Sequence, residues 1–289
     1  MGRLHALAMA LIVALAWRDA ASADARAWPA PRQSRLRRLA RASFGLQMAY
    51  VNVTHKVLVC AMPKAANEAV YMSLRRTHGL SDWRDARKTF VSYVDHHDNG
   101  LMYLRQLPLA ERVAVLRDPT WRKLAVVRNP WQRARSAYLN KVAGGSRRRV
   151  ESHICGQVMQ SAALCDTDHV PWETYLSRMA ELDMDAVETN CHVASQTSLC
   201  GLDVVDYAYA RVERLASDMQ AFSDCHRLGW SVPRERLGQT TRSGGSAHTF
   251  PDSDAARLAR IWSSDVRTLR AIYADDANGS LVRGEAPGC

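Results

Sequence analysis

Two short apolar runs constrain the fold of this chain more than any other feature. Val57 to Met62 and Leu124 to Val127 are continuously apolar and lack the period-2 alternation of a half-buried strand. Such runs are typical of parallel strands covered on both faces. Residues 107–118 between them have helical spacing, and another helix is expected after the second run, where Asn129 suits the N-cap and Pro130 the first helical position. Alternating strands and helices predict an α/β fold of three layers, with a mostly parallel central sheet flanked by helices.

Apolar stripes in the second half of the chain predict helices that pack against the core. One stripe repeats every three to four residues and ends before Gly229, and the other indicates one long amphipathic helix near the C-terminus. Their members are Val212, Leu215, Met219 and Phe222 in the first, and Leu258, Ile261, Trp262, Leu269, Ile272 and Tyr273 in the second.

The net charge of +10, with a pI of about 9.5, indicates anionic partners. A nucleotide, an acidic polysaccharide, a nucleic acid or a membrane surface would each satisfy that charge. The sequence has no internal repeat, no aromatic signature of an RNA-binding module and no zinc-finger spacing of Cys and His. We therefore expect no nucleic-acid partner.

Residues 1–23 have the composition of a targeting segment. Arg3 precedes an apolar run from Leu4 to Trp17, and Ala21-Ser22-Ala23 supplies the small residues that signal peptidase accepts. The run is shorter than the roughly 20 residues of a membrane span, so a cleaved signal peptide and a short signal-anchor both remain open. Either one directs the rest of the chain into the secretory pathway, and membrane contact is expected only through this segment.

The remainder divides at about residue 50. Residues 24–50 are rich in Pro, Ala and Arg, which predicts a basic stem or a solvated helix, and residues 51–289 are expected to form the folded domain. In an oxidising lumen, a cluster of cysteines within this domain would form one or two disulfides whose pairing the sequence leaves open. Its members are Cys155, Cys165, Cys191 and Cys200. Glycosylation sequons at Asn52 and Asn278 agree with that location.

The first apolar run ends in a loop that is suited to an anion. Pro63-Lys64-Ala65-Ala66-Asn67-Glu68 combines one lysine with small residues, and a helix is expected to start within it. Small side chains let backbone N–H groups approach an anion, and the helix N-terminus adds its dipole. The segment is not a Walker A loop, since GxxxxGK[ST] is absent. A strand that simply ends in a solvated lysine is the alternative.

A second anion site is expected after the second run, because ligands of such folds bind beyond the carboxyl ends of the strands. Arg128 ends the strand, and a guanidinium with a nearby hydroxyl such as Ser136 is a good phosphate clamp. At 100° per residue, the following helix would carry its aromatic and its polar residues on opposite faces, the aromatic one packed on the sheet. The aromatic face has Trp131, Ala134 and Tyr138, and the polar face has Arg133, Ser136 and Asn140.

At this point the chain resembles the carbohydrate sulfotransferases of the Golgi, the family that includes chondroitin, dermatan and HNK-1 sulfotransferases. Its motif V-R-[DN]-P-x-x-R-x-x-S-A-[YF]-x-x-K is matched in register by Val127-Arg128-Asn129-Pro130, Arg133, Ser136-Ala137-Tyr138 and Lys141. A later family segment, His-x-x-Pro-Gln with downstream Cys and Phe-Glu-x-Leu-x-x-Asp, is matched at His192, Gln196, Cys200, Glu213, Leu215 and Asp218.

The resemblance implies a P-loop-like fold and 3′-phosphoadenosine 5′-phosphosulfate (PAPS) as sulfuryl donor. No metal is expected, since Lys64, Arg128 and backbone N–H groups can meet the charge of the donor. It implies that the loop Pro63, Lys64, Ala65, Ala66, Asn67 and Glu68 binds the 5′-phosphosulfate, with Lys64 catalytic, and that Arg128 and Ser136 bind the 3′-phosphate. The acceptor would be a glycan, either an acidic polysaccharide or the glycan of a glycoprotein. The location would be the Golgi lumen, as a type II membrane protein or as a cleaved, soluble one.

Acceptor-side residues are expected between and after the donor elements. His96 and His97 lie in a polar stretch with Asp95 and Asp98 and are candidates for the general base, although solvated loop histidines would look the same. Arg147, Arg148 and Arg149 follow the second donor element and are expected to hold an acidic glycan or to be merely solvated.

Glu68 departs from the family pattern, which has Ser or Thr at this position. A carboxylate near phosphate is repulsive. Either Glu68 turns away and backbone N–H groups suffice, or donor binding is weakened. The alternatives to a sulfotransferase are therefore a catalytically inactive glycan- or nucleotide-binding homologue of the same fold and, with no Walker loop to support it, a nucleotide kinase.

Overall fold

The computed structural model describes residues 29–89, 98–143, 155–167, 169–233 and 252–273. Its strands are β1 (Tyr50–Asn52), β2 (Val57–Ala61), β3 (Arg122–Val127) and β4 (Ala208–Arg211). Its helices are α1 (Ala30–Ala42), α2 (Phe44–Gln47), α3 (Asn67–Thr77), α4 (Leu109–Arg117), α5 (Pro130–Lys141), α6 (Trp172–Glu181), α7 (Gln196–Cys200), α8 (Leu215–Cys225), α9 (Asp252–Ile261) and α10 (Ser263–Tyr273). The targeting segment 1–23, His96, His97, Arg147, Arg148, Arg149 and the sequon at Asn278 lie outside the described residues.

The four strands form one mostly parallel sheet in the order β1-β2-β3-β4. β2, β3 and β4 run parallel, and the short β1 pairs antiparallel with β2 at one edge. Ala61 at the end of β2 lies opposite Val126 near the end of β3. The segments that follow these two strands therefore leave the sheet side by side, at the carboxyl ends of the strands.

Helices cover both faces of the sheet, as the continuous apolar runs predict. Leu58 and Cys60 of β2 point into one cluster, with residues of α1, α7 and α10. Val57, Val59 and Ala61 point into the other, with residues of α3 and α8. This confirms the α/β class, with its three layers.

A third apolar cluster lies away from the sheet. It joins α5 to α6, the 155–165 segment and α9, and it contains no strand residue. Tyr138 of α5 packs there against Trp172 and Tyr175, with ring centroids 5.0 and 5.4 Å apart. The aromatic face of this helix thus packs on α6 and not on the sheet, contrary to our expectation, because another helix rather than the sheet supplies its apolar neighbours.

Helix α1 lies in the region that we expected to be a basic stem or a solvated helix. Its Leu36, Leu39 and Ala40 are buried in the cluster with α7 and α10, although its arginines are mostly at the surface. Arg32 donates to the carbonyl oxygen of Val204 at 2.8 Å, which fixes the helix to the rest of the domain. The packed body therefore begins by Ala30 and not at residue 51.

The close contact between α2 and α7 continues this attachment. A Cβ atom on Gly45 would lie 2.5 Å from the carbonyl oxygen of Leu199, so only glycine fits here. Ser43 Oγ donates to that same carbonyl oxygen at 2.5 Å. The two contacts hold the chain before β1 against α7.

Two disulfides are described, and only one lies wholly within the predicted cysteine cluster. Cys155 bonds to Cys165, but Cys200 bonds to Cys60 of β2, which is 140 positions away. Cys191 is a free thiol. The Cys60–Cys200 disulfide joins the central sheet directly to α7.

The C-terminal apolar stripe forms two helices instead of the one expected. α9 ends at Ile261 and α10 begins at Ser263. Leu258 and Trp262 belong to the third cluster, whereas Leu269 belongs to the cluster on the sheet. The break at Trp262 lets each half of the stripe face its own core. Within the ranges described, none of the helices combines the length and the apolar character that crossing a membrane requires.

Candidate functional site

The loop from Met62 to Ala66 joins β2 to α3 in an unusual backbone conformation. Lys64 and Ala66 have φ angles of 67° and 55°, in the left-handed region that residues other than glycine rarely adopt. Ala65 between them is fully buried, and its N–H group donates to the carbonyl oxygen of Met62 at 3.1 Å. Such outliers are concentrated at functional sites, where the surrounding structure compensates their cost of about 1–3 kcal/mol.

Helix α3 begins at Asn67, so all six residues of the predicted anion loop lie at its N-terminus: Pro63, Lys64, Ala65, Ala66, Asn67 and Glu68. The first N–H groups of a helix have no partner within the helix and carry the positive end of its dipole. Pro63 and Ala65 are buried, while the other four are partly exposed. The loop therefore presents backbone donors at the carboxyl end of β2.

Arg128 brings the second predicted site to this loop. It follows β3, and its guanidinium donates to the carbonyl oxygen of Lys64 at 3.1 Å. Its backbone is held by the Gln196 side chain, which accepts from Arg128 N–H at 2.9 Å and donates to Arg128 O at 2.8 Å. Asn129 then caps α5, accepting from the N–H groups of Trp131 and Gln132, as its sequence position predicts. The two predicted sites are thus one site.

The Arg128 guanidinium keeps unused donor capacity. Its Nε is buried and has no hydrogen-bond partner among the described residues. Burial lowers the pKa of Arg128, and the nearby Glu213 and Tyr273 oppose that shift. Tyr273 donates to the carbonyl oxygen of Val127 at 3.2 Å and thereby lies at the end of β3. A buried donor of this kind is normally satisfied, so an acceptor from a ligand is expected here.

The polar face of α5 points toward the Pro-Lys loop. Arg133, Ser136 and Asn140 lie on that face, as predicted. The Lys64 ammonium group donates to Asn140 Oδ1, and Ser136 lies partly exposed one turn before Asn140. Ser136 is therefore on the face of α5 that contacts Lys64 through Asn140.

Arg133 is a structural residue rather than an anion ligand. It is fully buried and donates to three backbone carbonyl oxygens: Pro63 at 3.1 Å, Ala194 at 2.7 Å and Cys191 at 3.1 Å. Burial lowers its pKa, and Asp265 opposes that effect. Its guanidinium joins the Pro-Lys loop to the 191–194 segment. Sequence spacing placed Arg133 on the polar face, but its partners are distant in sequence and could not be predicted from it.

The environment of Lys64 favours the binding of an anion. Burial and then the charge of Lys141 lower the pKa of Lys64 to about 7, with smaller contributions from Arg133 and Arg128, while Glu68 opposes the shift. Clustered cations repel one another and favour the neutral amine. A bound anion would reverse this, because it stabilises the ammonium form.

Glu68 is the second residue of α3 and faces the same cations. Its Oε2 atom is buried and has no hydrogen-bond partner within the described ranges. Burial raises the pKa of Glu68, and the charges of Lys64 and Lys141 oppose that rise. One oxygen of the Glu68 carboxyl group is therefore buried at the start of α3.

His192 and Asn190 flank the site on the side of Arg133. Asn190 Oδ1 accepts from the backbone N–H of His192 at 3.0 Å and contacts His192 Nδ1 at 2.9 Å. Burial lowers the pKa of His192 to about 3, and the charges of Lys64, Lys141 and Arg133 contribute. Sequence analysis gave His192 no role beyond its match to a family segment.

Asp265 is a second residue that sequence analysis missed. It is fully buried in α10 and accepts from the N–H groups of Gln196 and Thr197 at 2.9 and 2.8 Å, and from Thr197 Oγ1 at 3.0 Å. By holding Gln196, it supports Arg128. The sequence feature that could have identified it is the presence of an acidic residue within an apolar stripe, between Trp262 and Leu269.

The described residues contain no group of three or more His, Cys, Asp or Glu side chains that could hold a metal ion. The structure joins the loop 63–68 to Arg128, and Ser136 lies on α5, whose Asn140 contacts that loop. His96, His97, Arg147 and Arg148 are not among the residues it describes.

Comparison with known families agrees with this geometry. A family model described as "Sulfotransferase family" matches residues 47–278, which is more than half of the chain and includes the whole site. Comparison with curated proteins and with solved structures gave no significant match. The chain therefore belongs to the sulfotransferase family.

Proposed function

We propose that this sulfotransferase moves the sulfuryl group of PAPS to a hydroxyl group of a glycan. The observation that carries the proposal is the convergence of the two strand ends, with Arg128 bonded to the Lys64 carbonyl oxygen at 3.1 Å. One elongated ligand with an anionic group at each end can then contact both the Pro-Lys loop and the start of α5. PAPS has that form, since it carries a phosphosulfate at one end and a separate phosphate at the ribose.

The described residues fit such a donor. Lys64 is a partly buried amine whose pKa is lowered to about 7, first by burial and then by the positive charge of Lys141. Arg128 Nε is a buried donor that finds no acceptor within the described part of the chain. The N-terminus of α3 adds backbone N–H groups and its dipole. A bound anion would stabilise the ammonium form of Lys64, accept a hydrogen bond from Arg128 Nε and interact favourably with the dipole of α3.

In the proposed reaction the protein mainly aligns the reactants and stabilises charge. PAPS supplies an activated sulfuryl group. Lys64 would place its ammonium beside the bridging oxygen that becomes negative as the sulfuryl group leaves. Arg128 and Ser136 would hold the 3′-phosphate and so fix the donor for in-line attack by the acceptor hydroxyl.

Glu68 is compatible with donor binding if its carboxyl group is neutral. Burial raises its pKa, which favours the protonated form, and a protonated carboxyl donates a hydrogen bond as the usual Ser or Thr would. If Glu68 stays ionised beside the donor, the protein is instead an inactive homologue that binds a glycan or a nucleotide.

The acceptor side of the proposal rests on sequence. A net charge of +10 suits an acidic polysaccharide or a glycoprotein glycan, and Arg147 and Arg148 are proposed to contact it. His96 and His97 are the sequence-based candidates for the general base, against which any base among the described residues has to be tested. We place the protein in the secretory pathway, in the Golgi lumen, with the membrane contacted only through the N-terminal segment. The Cys60–Cys200 and Cys155–Cys165 disulfides support an oxidising compartment.

The test is transfer of labelled sulfate from PAPS to a panel of glycans, together with calorimetric binding of adenosine 3′,5′-bisphosphate. Lys64→Ala should abolish transfer and weaken binding. Lys123→Ala is the matched control, because Lys123 is also a buried lysine with a lowered pKa but donates to the carbonyl oxygen of Asp118, away from the site.

Three outcomes distinguish an active sulfotransferase from an inactive homologue and from a kinase. Transfer that requires Lys64 but not Lys123 supports the proposal. Binding of the bisphosphate without transfer to any glycan indicates the inactive homologue. Phosphate transfer from ATP, with no affinity for the bisphosphate, would overturn the proposal in favour of a kinase.

A further inference from the structure

The tautomer of His192 is fixed by Asn190. The backbone N–H of His192 can only donate, so the Asn190 atom that it contacts at 3.0 Å must be the amide oxygen. That same oxygen contacts His192 Nδ1 at 2.9 Å, so Nδ1 carries the proton and donates it. The other ring nitrogen, Nε2, is therefore an unprotonated acceptor. This is the arrangement of a histidine that takes up a proton at Nε2.

His192 is attached to the Pro-Lys loop through one side chain. Arg133 donates to the carbonyl oxygen of Cys191, the residue before His192, and also to that of Pro63, the residue before Lys64. Lys64 itself donates to Asn140 of α5, the helix that carries Arg133. The imidazole and the Lys64 ammonium are thus held by the same rigid set of contacts.

The imidazole shares its cationic neighbours with Lys64. After burial, the charges of Lys64, Lys141 and Arg133 lower the pKa of His192. Arg133 donates to the carbonyl oxygens of Pro63 and Cys191, at 3.1 Å each, so Lys64 and His192 each follow a residue that is bound to the same guanidinium.

We propose that His192 is the general base of the sulfuryl transfer, with Asn190 as its positioning residue; this rests on the proposed function. His192 Nε2 takes the proton of the acceptor hydroxyl while the acceptor oxygen forms its bond to sulfur. The bond between sulfur and the bridging oxygen of PAPS breaks, and its electron pair stays on that oxygen beside Lys64. The products are the sulfated acceptor, adenosine 3′,5′-bisphosphate and an imidazolium that later releases its proton to water.

Donor binding strengthens this base. The groups that face the imidazole are Lys64 from the loop after β2, Lys141 and Arg133 from α5, and the Cys191 thiol, whose pKa is raised to about 11 and which is therefore neutral. An anionic donor adds negative charge among these cations and favours the imidazolium form. His192 then accepts a proton more readily when the donor is bound than when the site holds none.

The first experiment is kinetic, with the full-length protein and saturating PAPS and acceptor. His192→Ala should lower kcat by about 100-fold or more, the usual contribution of a general base, while the affinity for adenosine 3′,5′-bisphosphate changes less than about 2-fold. His169→Ala is the matched control, since that exposed histidine bonds to the carbonyl oxygen of Ala143. His96→Ala and His97→Ala are measured in parallel.

The second experiment measures the protonation of the His192 imidazole directly. NMR titration of His192 should show its pKa rising when adenosine 3′,5′-bisphosphate binds. Asn190→Asp keeps an acceptor oxygen and adds a negative charge, so it should raise the pKa of His192 further and move the acid limb of kcat to higher pH, an effect that a purely structural role for Asn190 would not produce.

The outcomes distinguish this proposal from the proposed function. If the wild-type protein transfers sulfate but His192→Ala keeps its kcat, and His96→Ala or His97→Ala loses it, His192 is not the base and the sulfotransferase assignment stands. If the bisphosphate binds and the pKa of His192 does not rise, the coupling is wrong. If neither binding nor transfer is found in the wild type, the proposed function itself fails.

Discussion

The Arg128 guanidinium donates to the backbone carbonyl oxygen of Lys64 at 3.1 Å, across 64 positions of the chain. This bond joins the two loops that leave β2 and β3 at the same edge of the sheet. A change at Arg128 therefore acts twice, since it removes a cation and also releases the Pro-Lys loop.

Arg128→Ala should weaken the binding of adenosine 3′,5′-bisphosphate by roughly 10- to 100-fold, the equivalent of losing a charged hydrogen bond of about 1.5–3 kcal/mol. Arg128→Lys should recover only part of the affinity, because an ammonium group lacks the planar fork of a guanidinium. Calorimetry measures both, with Arg87→Ala, a change at an exposed arginine of the 3-10 helix Ala86–Thr89, as control. Equal affinity in the Arg128 variants and in the control would contradict a phosphate-binding role.

Donor binding should depend on pH through Lys64. The pKa of Lys64 is lowered to about 7 in the protein without donor, mainly by burial. The cationic form attracts the donor, so affinity is full below pH 7 and falls as the pH rises through that value, by roughly tenfold per pH unit well above it. Measuring the Kd of adenosine 3′,5′-bisphosphate from pH 6 to pH 9 checks this.

Lys64→Arg is the control for that titration, because arginine stays charged over the whole range. Its Kd should be nearly constant between pH 6 and pH 9, whatever its absolute value. A wild-type Kd that does not change over this range would show that Lys64 is fully protonated without a donor.

The convergence of the two sites could be predicted only in part from local patterns. The apolar runs marked β2 and β3 as parallel strands whose carboxyl ends bind ligands, and the family resemblance implied that one donor contacts both ends. The sequence patterns did not indicate which residues distant in the chain would form hydrogen bonds with one another. Arg133 was placed on the correct face of α5, but its three carbonyl partners come from segments up to 70 positions away.

Helix α1 shows a different reason for failure. Leu36 and Leu39 are one turn apart and form a short apolar stripe, but arginines on the other faces dominate the composition of the segment. Average polarity therefore indicated a solvated helix, whereas the spacing of two leucines decided the packing. On a strongly basic helix, a narrow apolar stripe is recognised from the spacing of its residues and not from the mean polarity of the segment.

The two disulfides should differ in their effect on stability. In the chain-entropy model, removing Cys60–Cys200, which closes 140 positions, costs about 5 kcal/mol, and removing Cys155–Cys165, which closes 10, costs about 3 kcal/mol. Chemical denaturation of the Cys60→Ala/Cys200→Ala and Cys155→Ala/Cys165→Ala double variants compares them. A smaller loss for the Cys60–Cys200 pair would contradict this ranking.

Asp265→Asn should destabilise the protein by about 2–3 kcal/mol, because one of the two oxygens that accept from Gln196, Thr197 N–H and Thr197 Oγ1 becomes a donor. Thr197→Val removes only the hydroxyl bond and should cost about 1 kcal/mol. Thermal and urea denaturation measure the difference. Asp265→Asn should also weaken bisphosphate binding, since Gln196 holds Arg128; unchanged stability and affinity would exclude this support role.

The attachment of α1 decides where the chain can be shortened for production. A protein that started at residue 47, where the family match begins, would lose the leucines of α1 and leave an apolar hollow open to water beside α7 and α10. We expect such a product to aggregate, whereas one that starts upstream of Ala30 should remain soluble and resist proteases.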